Sequence, residues 1–187
     1  MAAHEQTRCE NCIIRELNSL RALKKEELKA ISDSKEMRVI KKGEPLFKEG
    51  EKLGGVYCVR NGVSKLSKIS DNGKDQIVKI ASKGEVMGQR SVIAEQTTNL
   101  SAVALNDMEV CFIPKHNITA GIQDNPEFTQ AVLKYMAQEL KVADDVIVNM
   151  SQKTVNQRLA ETLLYIENNF GLDAEGYLAL ILSRSDI

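Results

Sequence analysis

The sequence predicts an α+β chain, a β-rich middle enclosed by helices, and three observations carry that reading. Turn chemistry recurs every ~8–12 residues between about Met37 and Ile113, the spacing of short strands in a sandwich, barrel or jelly roll. Apolar residues fall at helical spacing before and after that stretch. Finally, 43% of the 187 residues are hydrophobic, enough for a core, yet no run approaches the ~20 apolar residues of a membrane span.

The elements follow in order. Ile13-Ile14-Arg15-Glu16-Leu17 reads as a short helix that breaks at Asn18-Ser19. A second helix carries Leu20, Leu23, Leu28 and Ile31 on one face among lysines and glutamates, and its Lys24-Lys25-Glu26-Glu27 run is expected to be solvated. From Met37 the texture changes to short strands broken at Lys42-Gly43-Glu44-Pro45, Glu49-Gly50, Gly54-Gly55, Asn61-Gly62, Asp71-Asn72-Gly73 and Lys83-Gly84. Asn61-Gly62 and Asn72-Gly73 are the strongest hairpin signals, because both residue types tolerate the positive φ of tight turns. A further strand pair is expected at Leu100–Leu105 and Met108–Ile113, joined by Asn106-Asp107.

Asp124-Asn125-Pro126-Glu127 then announces a helix: a polar cap, proline in the first turn and an acid behind it. Phe128, Val132, Met136, Leu140, Ala143, Ile147 and Met150 step by three or four along it. From Pro126 to Met150 such a helix would run about 37 Å. Its width and length favour burial of one face on a second copy of the chain over packing within one chain. Another helix, about Thr154 to Asn169, ends at Phe170-Gly171. A turn at Asp173–Gly176, a strand at Tyr177–Leu182 and a capping-box-like Ser183-Arg184-Ser185-Asp186 complete the chain, so a further domain is expected to begin there.

Charge narrows the function. There are 25 basic and 26 acidic residues, so no overall basic excess draws the chain to nucleic acid. Aromatics make up 4% and tryptophan is absent, which disfavours a stacking platform for single strands. No nucleophile elbow, His-Glu-x-x-His pair or Walker loop occurs, so no enzyme is expected. The adjacent Asp144-Asp145 pair is read as solvated, and His116 as a surface residue. The N-terminus lacks the layout of a secretory signal, and a cytoplasmic location with reduced cysteines is expected.

The order of parts resembles the Crp/Fnr family of bacterial transcription regulators. The stretches that carry the likeness are Lys41-Lys42-Gly43-Glu44-Pro45-Leu46-Phe47, Glu49-Gly50, Val56-Tyr57-Cys58-Val59-Arg60-Asn61-Gly62, Gly73-Lys74-Asp75-Gln76-Ile77-Val78, Gly84-Glu85-Val86-Met87-Gly88, Glu109-Val110-Cys111-Phe112-Ile113-Pro114 and Arg158-Leu159-Ala160-Glu161. The resemblance implies a double-stranded β-helix, the jelly-roll-like cyclic-nucleotide-binding β-roll. It also implies a division into a cysteine-containing segment (1–19), the roll with its leading helix (20–125), a dimerisation helix (126–152) and the beginning of a winged helix-turn-helix domain (153–187). Its implied partners are a second copy of the chain, promoter DNA through a domain largely beyond these residues, and RNA polymerase, with no membrane. From Ser151 to Ile187, Lys153, Arg158 and Arg184 stand against Glu161, Glu167, Asp173, Glu175 and Asp186, which argues against a DNA-contacting surface in this piece. A stand-alone ligand-binding or redox-sensing module without DNA binding is the alternative reading.

Two sites follow from the resemblance. Cyclic-nucleotide binders of this fold place a Glu on the ribose and an Arg, ahead of Ser/Thr-Ala, on the phosphate. Here Gln89 stands in the first position, with Arg90 and Ser91 beside it, and Leu100 in the second, ahead of Ser101-Ala102. Leucine cannot neutralise a phosphate, so cyclic AMP is not the expected effector. The Fnr-like branch holds an iron–sulfur cluster with an N-terminal cysteine group and one strand cysteine. Cys9, Cys12 and Cys111 match three of those positions, whereas Ile13–Asn18 brings no third N-terminal thiol. A cluster with a non-cysteine fourth ligand, a zinc completed by His4 and a thiol switch all stay open. The plainer expectation is that Cys58 and Cys111 are small buried hydrophobes and that Cys9 and Cys12 lie in a mobile terminus.

Overall fold

A computed structural model describes residues 8–70, 73, 75–180 and 182. Three 3-10 turns, Cys9–Asn11, Ile13–Leu17 and Ser19–Ala22, lead into helix α1 (Lys25–Ser34). The single helix expected from Leu20 onward is therefore interrupted at Leu23-Lys24, although Leu20, Leu23, Leu28 and Ile31 are all buried.

The β region comprises β1 (Glu36–Ile40), β2 (Pro45–Phe47), β3 (Gly55–Asn61), β4 (Ser64–Ile69), β5 (Asp75–Ala81), β6 (Val86–Met87), β7 (Ser101–Ala104) and β8 (Met108–Pro114). These form two four-stranded antiparallel sheets, ordered β1-β8-β3-β6 and β2-β7-β4-β5. Helix α2 (Gln89–Ile93) lies between β6 and β7. Leu46, Phe47, Tyr57, Val59, Met87, Ala102, Met108 and Val110 belong to the core that joins the sheets.

Two expected pairings are corrected by this topology. Asn61-Gly62 does not close a hairpin: β3 pairs with β6 and β8, whereas β4 pairs with β5 and β7. Likewise β7 and β8 lie in different sheets on either side of Asn106-Asp107. Both tight turns are corners at which the chain changes sheet, and they lock together. Val63 N donates to Asn106 Oδ1 at 2.8 Å, and Leu105 N donates to Val63 O at 2.8 Å. Gly62 has φ 91°, and a Cβ there would sit 2.8 Å from Asp107 O, so the corner needs glycine for both conformation and space. The β4–β5 hairpin does form, with Ile69 opposite Asp75 and Gly73 at φ 76° between them; Asn72 lies outside the described residues.

Asp107 ties the same corner to the turn after β1, taking Lys41 Nζ at 2.6 Å and Lys42 N at 3.1 Å. The Lys41 hydrogen bond leads in holding the Asp107 carboxyl below its ordinary value. A depressed carboxylate adds stability above its unfolded pKa, and that stability is lost as pH falls through the folded value. Asp107→Asn should therefore melt slightly below the wild type at pH 7, with the gap closing as falling pH protonates the Asp107 carboxyl. Thermal melts of both proteins at falling pH are the check.

Helix α3 (Lys115–Asp124), which the pattern analysis did not anticipate, follows β8 and leads through Asn125 to α4 (Pro126–Gln152). Asn125 is buried and caps α4: its Oδ1 accepts from Glu127 N and Phe128 N at 3.1 Å each. Its amide donates to Ala22 O at 3.0 Å and Glu27 Oε2 at 2.8 Å, pinning the α3–α4 joint to the N-terminal segment. The chain divides into two compact units between Leu133 and Lys134. The first turns of α4 thus belong to the roll unit, further along the chain than the boundary expected at residue 125.

In the second unit α5 (Val155–Phe170) opens on a capping box at Thr154, which the pattern analysis did not single out, and ends at the expected Gly171, φ 74°. The strand expected at Tyr177–Leu182 is reduced, among the described residues, to one bridge between Leu172 and Leu178. Asp173 organises that turn instead, its Oδ1 accepting from Glu175 N and Tyr177 N at 2.9 Å each. Ser183–Asp186 lie outside the described residues. No described helix is long and apolar enough to cross a membrane.

Candidate functional site

The segment where a cyclic nucleotide would bind is built from α2 and the start of β7. Gly88, at φ 81°, turns the chain into α2, where Gln89 and Ser91 are buried and Arg90 is exposed. Leu100 and Ser101 are half-buried at the entry to β7. This entry is zipped to the loop after β2: Gly50 N donates to Thr98 O, Thr98 N to Glu51 O (both 2.8 Å), and Thr98 Oγ1 to Lys48 O (2.6 Å). Ser101 Oγ accepts from Glu49 N at 3.0 Å. Ser101 is thus tied to the backbone through its oxygen, and position 100 contributes no charge.

The cysteines tell a different story from the expected one. Cys9 is buried rather than held in a mobile terminus; its N–H donates to Ser32 Oγ at 2.6 Å. The N-terminal segment folds back over the outer face of the β1-β8-β3-β6 sheet, and Asn18 anchors it. The Asn18 amide donates to Ile14 O (3.2 Å) and Gly84 O (2.9 Å), and lies 3.7 Å from Cys58 Sγ. Side chains alternate across a strand, so Tyr57 and Val59 enter the core between the sheets while Cys58 faces the N-terminal layer. Cys58 lies directly opposite Cys111 on β8.

Cys9, Cys12, Cys58 and Cys111 consequently line one small, partly enclosed cavity of about 20 Å³, with Arg15, Lys35, Arg60 and apolar residues including Leu28 and Ile31 as walls. Lys35 Nζ donates to Cys9 Sγ at 3.2 Å. All four cysteines are free thiols. Burial pushes the Cys58 thiol up to about 12, with Cys111, Cys12 and Cys9 adding to the rise. Burial also raises Cys111, opposed by Lys35 and Arg60. Free thiolate at these two positions is scarce at neutral pH, which disfavours a simple thiol-exchange switch there. Among the described residues no three of the His, Cys, Asp and Glu side chains are arranged to hold a metal ion. His4 lies outside those residues, so the expected zinc completed by His4 has no structural description, and His116 is exposed. The four thiols have the softness that an iron–sulfur cluster or zinc requires, but a cavity of about 20 Å³ with no three of them placed around one point does not fit either group as it stands. Sequence reasoning missed Cys58 as a member of this set; the β3–β8 register, which sets it opposite Cys111, is what places it there.

The dimerisation stripe on α4 divides in two. Phe128 and Val132, 1% and 5% exposed, are core residues of the roll unit, which corrects their assignment to a seam between copies. Beyond them Met136 is half-buried, whereas Leu140, Ala143 and Ile147 are exposed, as are the neighbouring Leu133, Val146 and Met150.

Comparison with known proteins agrees with this architecture. The cyclic nucleotide-binding domain family matches residues 37–125. The transcriptional activator protein Anr of Pseudomonas protegens is 30% identical over all of this chain and 78% of its own length. The chain belongs to the Crp/Fnr family. The fumarate and nitrate reduction regulatory protein of Vibrio cholerae is 29% identical, over 96% of this chain and 72% of that protein. Among solved structures, a Crp/Fnr-family transcriptional regulator from Eubacterium rectale superposes with TM-score 0.73 at 18% identity, covering 81% of this chain and 71% of that one. The catabolite activator protein of Thermus thermophilus gives 0.61 at 24% identity, over 80% and 70%. This Crp/Fnr chain is accordingly a transcription-regulator sensing unit and not an enzyme.

Proposed function

We propose that this Crp/Fnr chain is the effector-sensing and dimerising part of a DNA-binding regulator that does not respond to cyclic AMP. The observation that carries the reading is Leu100 at the phosphate-pairing position, where the side chain offers neither a charge nor a hydrogen-bond donor. An unpaired phosphate in that half-buried place would lose hydration without a counter-charge. Dimerisation is supported by the exposed apolar stretch of α4 from Leu140 to Met150, since large contiguous apolar surface marks association. A signal at the roll would act by shifting the population of two arrangements of the paired α4 helices. Promoter DNA would then be read by helix-turn-helix elements carried beyond α5, where RNA polymerase would also be met.

The experiment is titration with cyclic AMP, followed by calorimetry and thermal melting. A specific ligand present at 100 times its Kd would stabilise the protein by about 2.7 kcal/mol, a shift of roughly 5–10 °C for a chain of this size. The expected result is no binding heat and no shift. Saturable heat accompanied by a shift of that size would overturn the reading.

A further inference from the structure

Asn125, 1% exposed, stands where α3 gives way to α4 and spends its full hydrogen-bonding capacity in two directions. Its Oδ1 holds the first turn of α4 through Glu127 N and Phe128 N, while its amide reaches back 103 and 98 residues to Ala22 O and Glu27 Oε2. We propose that Asn125 and Glu27 form a relay: seating of the N-terminal turns on α1 and capping of α4 favour each other, and through α4 they set how readily two copies pair. The pairing half rests on the dimerisation proposed above; the relay itself does not.

The bonds run without a gap from one end to the other. Cys9 N donates to Ser32 Oγ at 2.6 Å, and Ser32 Oγ donates to Glu10 Oε2 at 2.7 Å, so the first N-terminal turn is fastened to α1. Toward the start of α1, Glu27 Oε2 accepts from Lys24 N, which closes that helix's capping box, and from the Asn125 amide at 2.8 Å. One carboxylate oxygen thus serves the start of α1, and the amide bonded to it serves the start of α4. Asn117 Nδ2 donates to Ser34 Oγ at 2.8 Å, which ties α3 to the far end of α1. Beyond the cap, α4 runs as one helix to Gln152, past Leu140 and Ile147.

Such a joint switches rather than bends. Drawing α1 away from Asn125 leaves a buried amide and the Ala22 carbonyl unpaired, and leaving buried partners unmade costs more than each bond contributes when formed. The contacts therefore hold or release together, which gives the two-state element that coupling requires. Coupling of this kind is reciprocal, so each end of the relay must report a change made at the other. Capping alone does not account for the residue. Serine and aspartate are as good at that position, but neither brings an amide that donates twice.

The test uses the whole chain and the variants Asn125→Asp, Asn125→Ser, Glu27→Gln, Ser32→Ala and the pair Asn125→Asp/Glu27→Gln. Amide hydrogen exchange by mass spectrometry, light scattering and circular dichroism are the measurements. Both Asn125 variants keep a capping oxygen on α4. Asn125→Asp also sets a carboxylate against that of Glu27, whereas Glu27→Gln preserves the α1 capping box and offers an amide to the new carboxylate. Exchange in the N-terminal turns is expected to rise about tenfold in folded Asn125→Asp and Asn125→Ser, with a dimer weakened by a similar factor. Glu27→Gln alone should change little, and in the pair it should reverse most of the Asn125→Asp effect. Ser32→Ala, altered at the opposite end, should speed exchange in the first turn of α4. Unchanged N-terminal exchange in folded Asn125→Ser, no recovery in the pair, or an unaltered α4 turn in Ser32→Ala would each overturn the relay. A monomeric wild type would overturn the dimer reading alone, and the exchange results would still decide the relay.

Discussion

Replacing Leu140 and Ile147 together with glutamate should halve the mass of the particle in solution, from twice 20.8 kDa to 20.8 kDa, and leave the melting of the roll unchanged. Both side chains are about two-thirds exposed, at 65% and 66%, so neither supports the fold of its own chain. They are seven residues apart, two turns along one face of α4. In a symmetric pair each copy presents the same face to the other, so four carboxylates would enter one apolar seam without partners. Breaking or leaving unpaired a buried charge costs about 3–5 kcal/mol, far more than a seam of this kind can absorb four times over. Light scattering reads the mass and circular dichroism the melt. A wild-type chain that is already monomeric at micromolar concentration would overturn the dimer, and so would a double variant of undiminished mass. Met136, half-buried within its own chain, is a poorer probe because a charge there would disturb both the seam and the fold.

The contrast between the two halves of α4 shows where the pattern was legible and where it was not. Periodicity marks Phe128, Val132, Met136, Leu140 and Ile147 as one stripe, and they do share a helix face. Burial of that face ends partway along, from Phe128 and Val132 to the exposed Leu140 and Ile147, and spacing carries no information about where. The sheet pairings failed for a related reason. Asn61-Gly62 announces a backbone that needs positive φ, and Gly62 has it, but a corner between sheets and a hairpin within one sheet call for the same residues. Helix α3 was missed because Lys115-His116-Asn117-Ile118-Thr119 offers no polar N-cap and little apolar periodicity; Ile118 and Gly121 are its buried residues. Asn125 was legible as a helix cap, whereas its two donated hydrogen bonds to Ala22 and Glu27 span about a hundred residues and leave no local trace. At the thiol site the Cys9–Cys12 pair and Cys111 could be read from the family likeness. Cys58 could not, since only the β3–β8 register puts it beside Cys111.

Phe128→Ala should lower the thermal midpoint by on the order of 10 °C, and it should do so equally in the dimer and in a chain made monomeric by Leu140→Glu and Ile147→Glu. Phe128 is 1% exposed. Its ring rests on Gly121, where a Cβ would meet Phe128 Cδ1 at 3.0 Å and Leu23 Cδ2 at 3.2 Å. A glycine at 121 therefore makes the seat, and α3 and the N-terminal segment both press on the ring. Its own N–H is held by the buried Asn125 cap, and Thr129 Oγ1 donates to Ile122 O at 2.6 Å next to it, so the backbone around the ring is fixed and cannot close over a void. Truncating a phenylalanine in such a place costs about 3–5 kcal/mol, and for a chain of this length each kcal/mol moves the midpoint by roughly 2–4 °C. Effects at separate sites add to within about 0.5 kcal/mol, so the loss should survive intact in the monomeric background if Phe128 belongs to the roll unit. A residue at the seam between copies would behave in the opposite way: its truncation would weaken the dimer and have no effect once the copies are apart. Thermal melts of the four proteins (wild type, Phe128→Ala, the double glutamate variant and the triple variant) decide between these, and disappearance of the Phe128 effect in the monomer would return that ring to the seam.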